Sequence, residues 1–150
     1  MIRSTPVGFE ADEETLKEMI YSIQQFKNLP IEGFVFGILK NNLVDQVQIN
    51  KLVMAADPFP ITFHKAIDLS DDLMNDLRWL NQFPQIDTIL TSGGALNAID
   101  GTDKILLMKK AFKGNIMAAG KISPEQLSSL HEKLGLDWYH GRSITGELGN

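Results

Sequence analysis

The chain has 150 residues, 43% of them hydrophobic and 22% charged, with a formal net charge of -5 and no cysteine. That is enough for one domain with a real core and too little for two ordinary ones. The acidic balance argues against a general nucleic-acid or anionic-membrane binder, and the missing cysteines exclude disulfides, thiolate metal sites and a cysteine nucleophile. Neither a membrane-spanning apolar run nor a signal-like N-terminus is present, and the composition suits a reducing cytoplasm.

Met1-Ile2-Arg3 is a short apolar start followed by the polar stretch Ser4-Thr5-Pro6-Val7-Gly8. Asp12-Glu13-Glu14 places acid where a helix begins. Leu16, Met19, Ile20, Ile23 and Phe26 then recur at helical spacing, and Pro30 marks the exit. Residues 33–39 form a branched and aromatic apolar run that reads as one buried strand, turning at Lys40-Asn41-Asn42. Ile49, Leu52, Val53 and Ala56 give a second helical stripe, closed by Asp57-Pro58. Residues 60–64 are a further strand. Ser70 is the expected N-cap of the helix carrying Leu73, Leu77 and Leu80.

Ile86 to Leu90 is another short apolar run, and it stops at Thr91-Ser92-Gly93-Gly94. Glycines there leave backbone N–H groups open to a ligand, although the pair equally suits a tight strand-to-helix turn. Residues 97–101 read as a loop. Ile105, Met108 and Phe112 mark the next helix, with Lys109, Lys110 and Lys113 in its last turns and Gly114 just past its end. Residues 115–119 are a fifth buried run. Ser123-Pro124-Glu125-Gln126 is a capping-box helix start, Leu127, Leu130 and Leu134 form the stripe, and Gly135 ends it. Residues 136–140 are the last strand candidate.

Strand and helix therefore alternate, six strands in all counting residues 1–3, and such alternation means parallel strands joined by helices. A (β/α)₈ barrel needs eight strands and usually at least about 200 residues. An open doubly wound sheet needs no more strands, but its Gly-rich nucleotide turn is absent. Both architectures stay open on this pattern.

If the strands are parallel, their carboxyl ends share one rim, where ligands of such folds bind. That rim collects Arg3, then His64, Lys65 and Asp68, then Thr91, Ser92, Gly93 and Gly94. Gly120 and Lys121 follow, and finally His140, Gly141 and Arg142. Cations and backbone donors gathered in an acidic chain point to a small anionic ligand, a phosphate or carboxylate. His64 is the candidate acid/base with Asp68 orienting it, and both also have plain readings as a hydrogen-bonded core histidine and a loop residue. His131 sits in the last helix near its C-terminus and is left out of the site. The methionines fall on core stripes and form no soft-metal cluster.

Residues 1–3, 35–39, Ile61-Thr62-Phe63-His64-Lys65-Ala66-Ile67-Asp68, Ile89-Leu90-Thr91-Ser92-Gly93-Gly94 and Tyr139-His140-Gly141 together resemble the successive signatures of the CutC family. The resemblance implies a TIM-barrel-like α/β fold of about six parallel strands, one partial barrel domain over 1–150, and a cytoplasmic role in copper homeostasis. Copper is implied by resemblance alone, with His64 and His140 as weak candidate ligands. The alternative is an enzyme or binding protein for a small anionic metabolite, and a second alternative is an inactive piece of a longer CutC-like chain. Within the resemblance, Lys65 stands where arginine is usual, Ser4-Thr5-Pro6 replaces a Pro-Arg-rich loop, and Ala118-Ala119-Gly120 replaces a more Gly-rich turn. The family's first two strand–helix units have no counterpart, so the chain is expected to be a fragment or a partner-dependent piece with exposed strand edges. A homodimer is a further expectation; nucleic-acid and membrane partners are not.

Overall fold

The computed structural model describes residues 1–2, 8–142 and 144. The first helix, α1 (Glu13–Phe26), turns Leu16, Met19 and Ile23 into the core. Its N-cap is Asp12, whose carboxylate accepts the Thr15 N–H at 2.8 Å. That bond holds the Asp12 carboxyl below its ordinary value of 3.8. A lowered folded-state pKa means the cap acts fully above the unfolded value and is lost as pH falls through the lowered one. In an acid NMR titration, the Thr15 amide resonance is expected to move with a midpoint below the ordinary aspartate range. A midpoint at the ordinary value would show that the cap does not form.

Strands and helices then alternate: β1 (Phe34–Phe36), α2 (Gln46–Ala56), β4 (Ile61–Phe63), α3 (Leu73–Leu80), β5 (Ile86–Thr91), α4 (Thr102–Ala111), β6 (Asn115–Ala119), α5 (Pro124–Leu134) and β7 (Trp138–His140). Between β1 and α2 lies a small hairpin, β2 (Leu39–Lys40) and β3 (Leu43–Val44). A 3₁₀ helix, Lys65–Leu69, leaves β4. The main sheet is parallel throughout, in the order β1-β4-β5-β6-β7.

That order separates the two architectures. A doubly wound sheet reverses direction at a switch point and carries helices on both faces. Here every new strand is added on the same side, and crossovers of one hand then place all helices on one face. Burial agrees. Phe36, Ile61, Phe63, Ile89 and Ala118 are fully buried on the helix side. Val35, Thr62, Leu90 and Met117, which point the other way, are only half-buried, and Trp138 is 55% exposed. The fold is that of a TIM-barrel-like protein whose described strands wrap part of the circumference. Strand β7 is one edge of the sheet. At the other, the Ile2 N–H donates to the Val35 carbonyl at 2.8 Å and Ile2 is buried, so the N-terminus runs beside β1. The sixth strand expected at 1–3 is thus a single described bond, and Arg3 lies outside the described residues.

Three local expectations change. The run 33–39 breaks after Phe36, and its last residue, Leu39, opens the hairpin. Asn41 and Asn42 make its two-residue turn with φ of 51° and 55°, a backbone that asparagine tolerates. Ser70 does not cap α3: Asp72 does, through the Asn75 N–H. Ser70 instead donates to Asp76 at 2.6 Å, because that carboxylate is 2% exposed and a buried charge needs partners. The Val44 N–H supplies another at 3.0 Å. Gly114 is not the cap of α4, which ends at an extended Phe112. It is small because a Cβ there would come within 2.3 Å of the Asp87 carbonyl. Lys109 caps a different helix, donating to the Leu134 and Gly135 carbonyls at the C-terminal end of α5. At that end Gly135 takes the left-handed conformation. The Ser123 N–H meets Gln126 Oε1 at 3.3 Å, one half of the expected capping box. Among the described residues no helix is long and apolar enough to cross a membrane.

Candidate functional site

The carboxyl ends of β4 and β5 are neighbours in the sheet, so the two richest motifs of the sequence meet. His64 follows β4, donates its backbone N–H to the Phe36 carbonyl at 3.1 Å and is 5% exposed. Its ring packs against Phe9 at 5.1 Å between centroids and against Phe63 at 6.2 Å. Gly37 leaves room for it, since a Cβ there would stand 2.8 Å from Nδ1. Nδ1 accepts the Ala66 N–H at 3.2 Å. A neutral ring used this way carries its proton on Nε2.

Asp68 sits in the 3₁₀ helix and faces the end of β5. Its Oδ2 accepts the Ser92 N–H at 2.9 Å and the Ser92 hydroxyl at 2.9 Å. Its Oδ1 accepts the Gly94 N–H at 3.0 Å and the Thr91 hydroxyl. The Gly93 N–H goes to Thr91 Oγ1 at 2.8 Å. The backbone donors expected to meet a ligand therefore already hold an anion, and it is the protein's own carboxylate. Four donors face the Asp68 carboxylate, two at each oxygen. Asp68 is accordingly the clamp of the 91–94 turn.

Lys65 completes the cluster. Its Nζ donates to Ser92 Oγ at 2.8 Å and lies 3.6 Å from Asp68 Oδ2, with 38% of the side chain exposed. Ser92 Oγ has one proton, for which Asp68 and the Ala95 carbonyl, 2.7 Å away, compete. Gly93 and Gly94 have φ of 70° and 72°, which turns the chain sharply behind Asp68. Gly120, the residue after β6, packs against Ser92, and a Cβ on it would stand 3.0 Å from Ser92 Cβ.

His64, Lys65, Asp68, Ser92 and Gly94 line a cavity of about 540 Å³, a size ordinary for small-molecule sites. The rest of the expected rim does not join them. Lys121, His140 and Arg142 are exposed and do not line the cavity, and neither does the half-buried Gly141. Gly141 is small for packing, because a Cβ would approach the Ile122 carbonyl to 2.8 Å. Much of the described cavity wall is apolar and carried no motif signal in the sequence: Phe9, Leu69, Leu90, Ala95 and Leu96. Alternation along β5 could have flagged Leu90, opposite in direction to the buried Ile89; Leu96 follows the glycines with no periodic signal.

Copper fits these residues poorly. Cu(I) favours thiolate and thioether donors, and the chain has no cysteine. His64 and His140 follow or end strands β4 and β7, three positions apart in the sheet, roughly 14 Å at ordinary strand spacing. Among the described residues no group of three His, Cys, Asp or Glu side chains converges on a metal position.

A sheet wound in one direction, helices on its outer face and a ligand-sized cavity at the carboxyl ends of its strands define a partial barrel of the TIM class. The CutC family model matches residues 1–145, so the chain belongs to the CutC family. It is 30% identical over 147 residues to the copper homeostasis protein cutC homolog of Caenorhabditis elegans, covering 93% of this chain and 57% of that one. It is 32% identical over 145 residues to the family protein CutC of Aliivibrio fischeri, with 93% and 58% covered. The chain thus spans a little under three fifths of the length of these relatives. A crystal structure of CutC from Streptococcus agalactiae superposes with a TM-score of 0.89 at 24% identity, covering 95% of this chain and 71% of the other. That likeness carries the fold.

Proposed function

We propose that the chain serves copper homeostasis in the cytoplasm, the process named in its relatives, by binding a small organic anion in the His64–Lys65–Ser92 cavity rather than by coordinating copper. The observation that carries this reading is Lys65 on the cavity wall. Its ammonium has three N–H donors; one goes to Ser92, and the contact with Asp68 at 3.6 Å is too long for a second strong bond. A half-exposed cation with donor capacity in a largely apolar cavity is a place for one anionic group. An acid/base role for His64 has less support, because the carboxylate expected to assist it is engaged by the 91–94 turn.

Isothermal titration with small carboxylates, beside metal analysis after dialysis, tests the proposal. Lys65→Met is expected to weaken carboxylate binding about 10- to 100-fold, the worth of a hydrogen bond to a charged group. Circular dichroism of the variant should show the fold retained. Copper retained in stoichiometric amount by the wild-type chain, and lost in His64→Ala, would replace this reading with a metal site.

A further inference from the structure

We infer, resting on the anion-binding reading above, that the ligand of this cavity is an amphiphilic monoanion: a single carboxylate on an apolar body of several carbons. Three observations point there. First, the 92–94 turn has no backbone cradle left for a phosphate, since the N–H groups of Ser92 and Gly94 hold Asp68 and that of Gly93 holds Thr91. A dianion would also lie beside the Asp68 carboxylate and be repelled by it. Second, among the described side chains that line the cavity Lys65 is the one lysine or arginine, and it is already partly balanced by Asp68, which favours one negative charge over two. Third, the rest of the described wall is Met1, Phe9, Leu69, Leu90, Ala95 and Leu96.

Two of those residues stand out to solvent. Leu69 is 56% exposed and Leu96 is 83% exposed. Leu69 directly follows Asp68, and Leu96 lies two residues after Gly94, so the carboxylate that clamps the 91–94 turn holds both leucines beside the same cavity. An apolar tail lying between them would remove that surface from water, while its head meets Lys65.

A series of acetate, butyrate, hexanoate and octanoate, with inorganic phosphate and hexanol as comparisons, reads the inference directly by NMR shift titration. Affinity is expected to rise about three- to fourfold for each added methylene that is buried. Leu96→Ser should flatten this dependence, and Lys65→Met should weaken every carboxylate by a similar factor while leaving hexanol unchanged. Carboxylates that bind through Lys65 with no dependence on chain length, or phosphate binding more tightly than hexanoate, would overturn the amphiphile and leave the small-anion reading standing. Failure of every anion to shift Lys65 and Ser92 would overturn both.

Discussion

Asp68→Ala is expected to lower the melting temperature by about 6–20 °C. The carboxylate accepts from Thr91, twice from Ser92 and from Gly94, so its loss strands several donors at once in a turn whose Thr91 and Ser92 are fully buried. Each buried donor left without a partner costs about 1–3 kcal/mol, and loss of one member of a buried charged network costs about 3–5 kcal/mol. Water reaching the exposed Gly94 side of the turn relieves part of this, which places the sum near the second figure. At about 2–4 °C per kcal/mol for a chain of this size, the stated range follows. Asp68→Asn separates shape from acceptor capacity. Its amide oxygen can replace one carboxylate oxygen, but its NH₂ group then faces N–H and O–H donors, so it is expected to recover less than half of the loss. Differential scanning calorimetry on the three proteins decides the matter. A fall of under about 2 °C for Asp68→Ala would mean that the turn holds its shape without the carboxylate.

Gly101→Ala is expected to cost about 3 kcal/mol or more, although its φ of -88° is ordinary for any residue. The difficulty is contact. A Cβ on Gly101 would lie 1.8 Å from the Ser92 carbonyl oxygen and 3.0 Å from Gly93 Cα. Neither neighbour is a side chain that can rotate away, so the start of α4 and the 92–94 turn must separate. That turn is the one Asp68 holds, and the amide resonances of Ser92, Gly93 and Gly94 should shift together with the drop in thermal stability. An alanine variant that melts within about 2 °C of wild type with those resonances in place would show that the approach of Gly101 to Ser92 is not required. The two substitutions attack one object from opposite sides, through its acceptor and through its packing, and because they share partners their effects are not expected to add.

Much of the fold is legible in local pattern because local physics decides it. Leu16, Met19 and Ile23 share a face by helical period, Gln126 reaches back to the Ser123 N–H, and Gly135 accepts the left-handed backbone at the end of α5. The strands read correctly where an apolar run had no competing use for its residues. Residues 33–39 did not: β1 stops at Phe36, and Leu39 pairs instead with Val44 across the Asn41-Asn42 turn. Ser70 and Asp72 are both good caps; Asp72 takes the Asn75 N–H, while Ser70 accepts the Asp72 N–H and donates to buried Asp76, a partner no local rule points to.

The site divides the same way. The residue types at 64–68 and 91–94, their place at strand ends and the family they signal are properties of the chain read in order, since each is carried by residues a few positions apart. What the donors of Ser92 and Gly94 bind is not local. Their partner lies 24–26 residues earlier, and it reaches them because β4 and β5 are adjacent in the sheet. Strand order also separates a barrel from an open sheet where the alternation of elements alone does not, in agreement with the barrel that the family resemblance implies. Alternation and caps arise from the chain's own period and are written in it. Adjacency arises from which strand packs beside which, and only the folded chain brings Asp68 into the turn that a ligand was expected to fill.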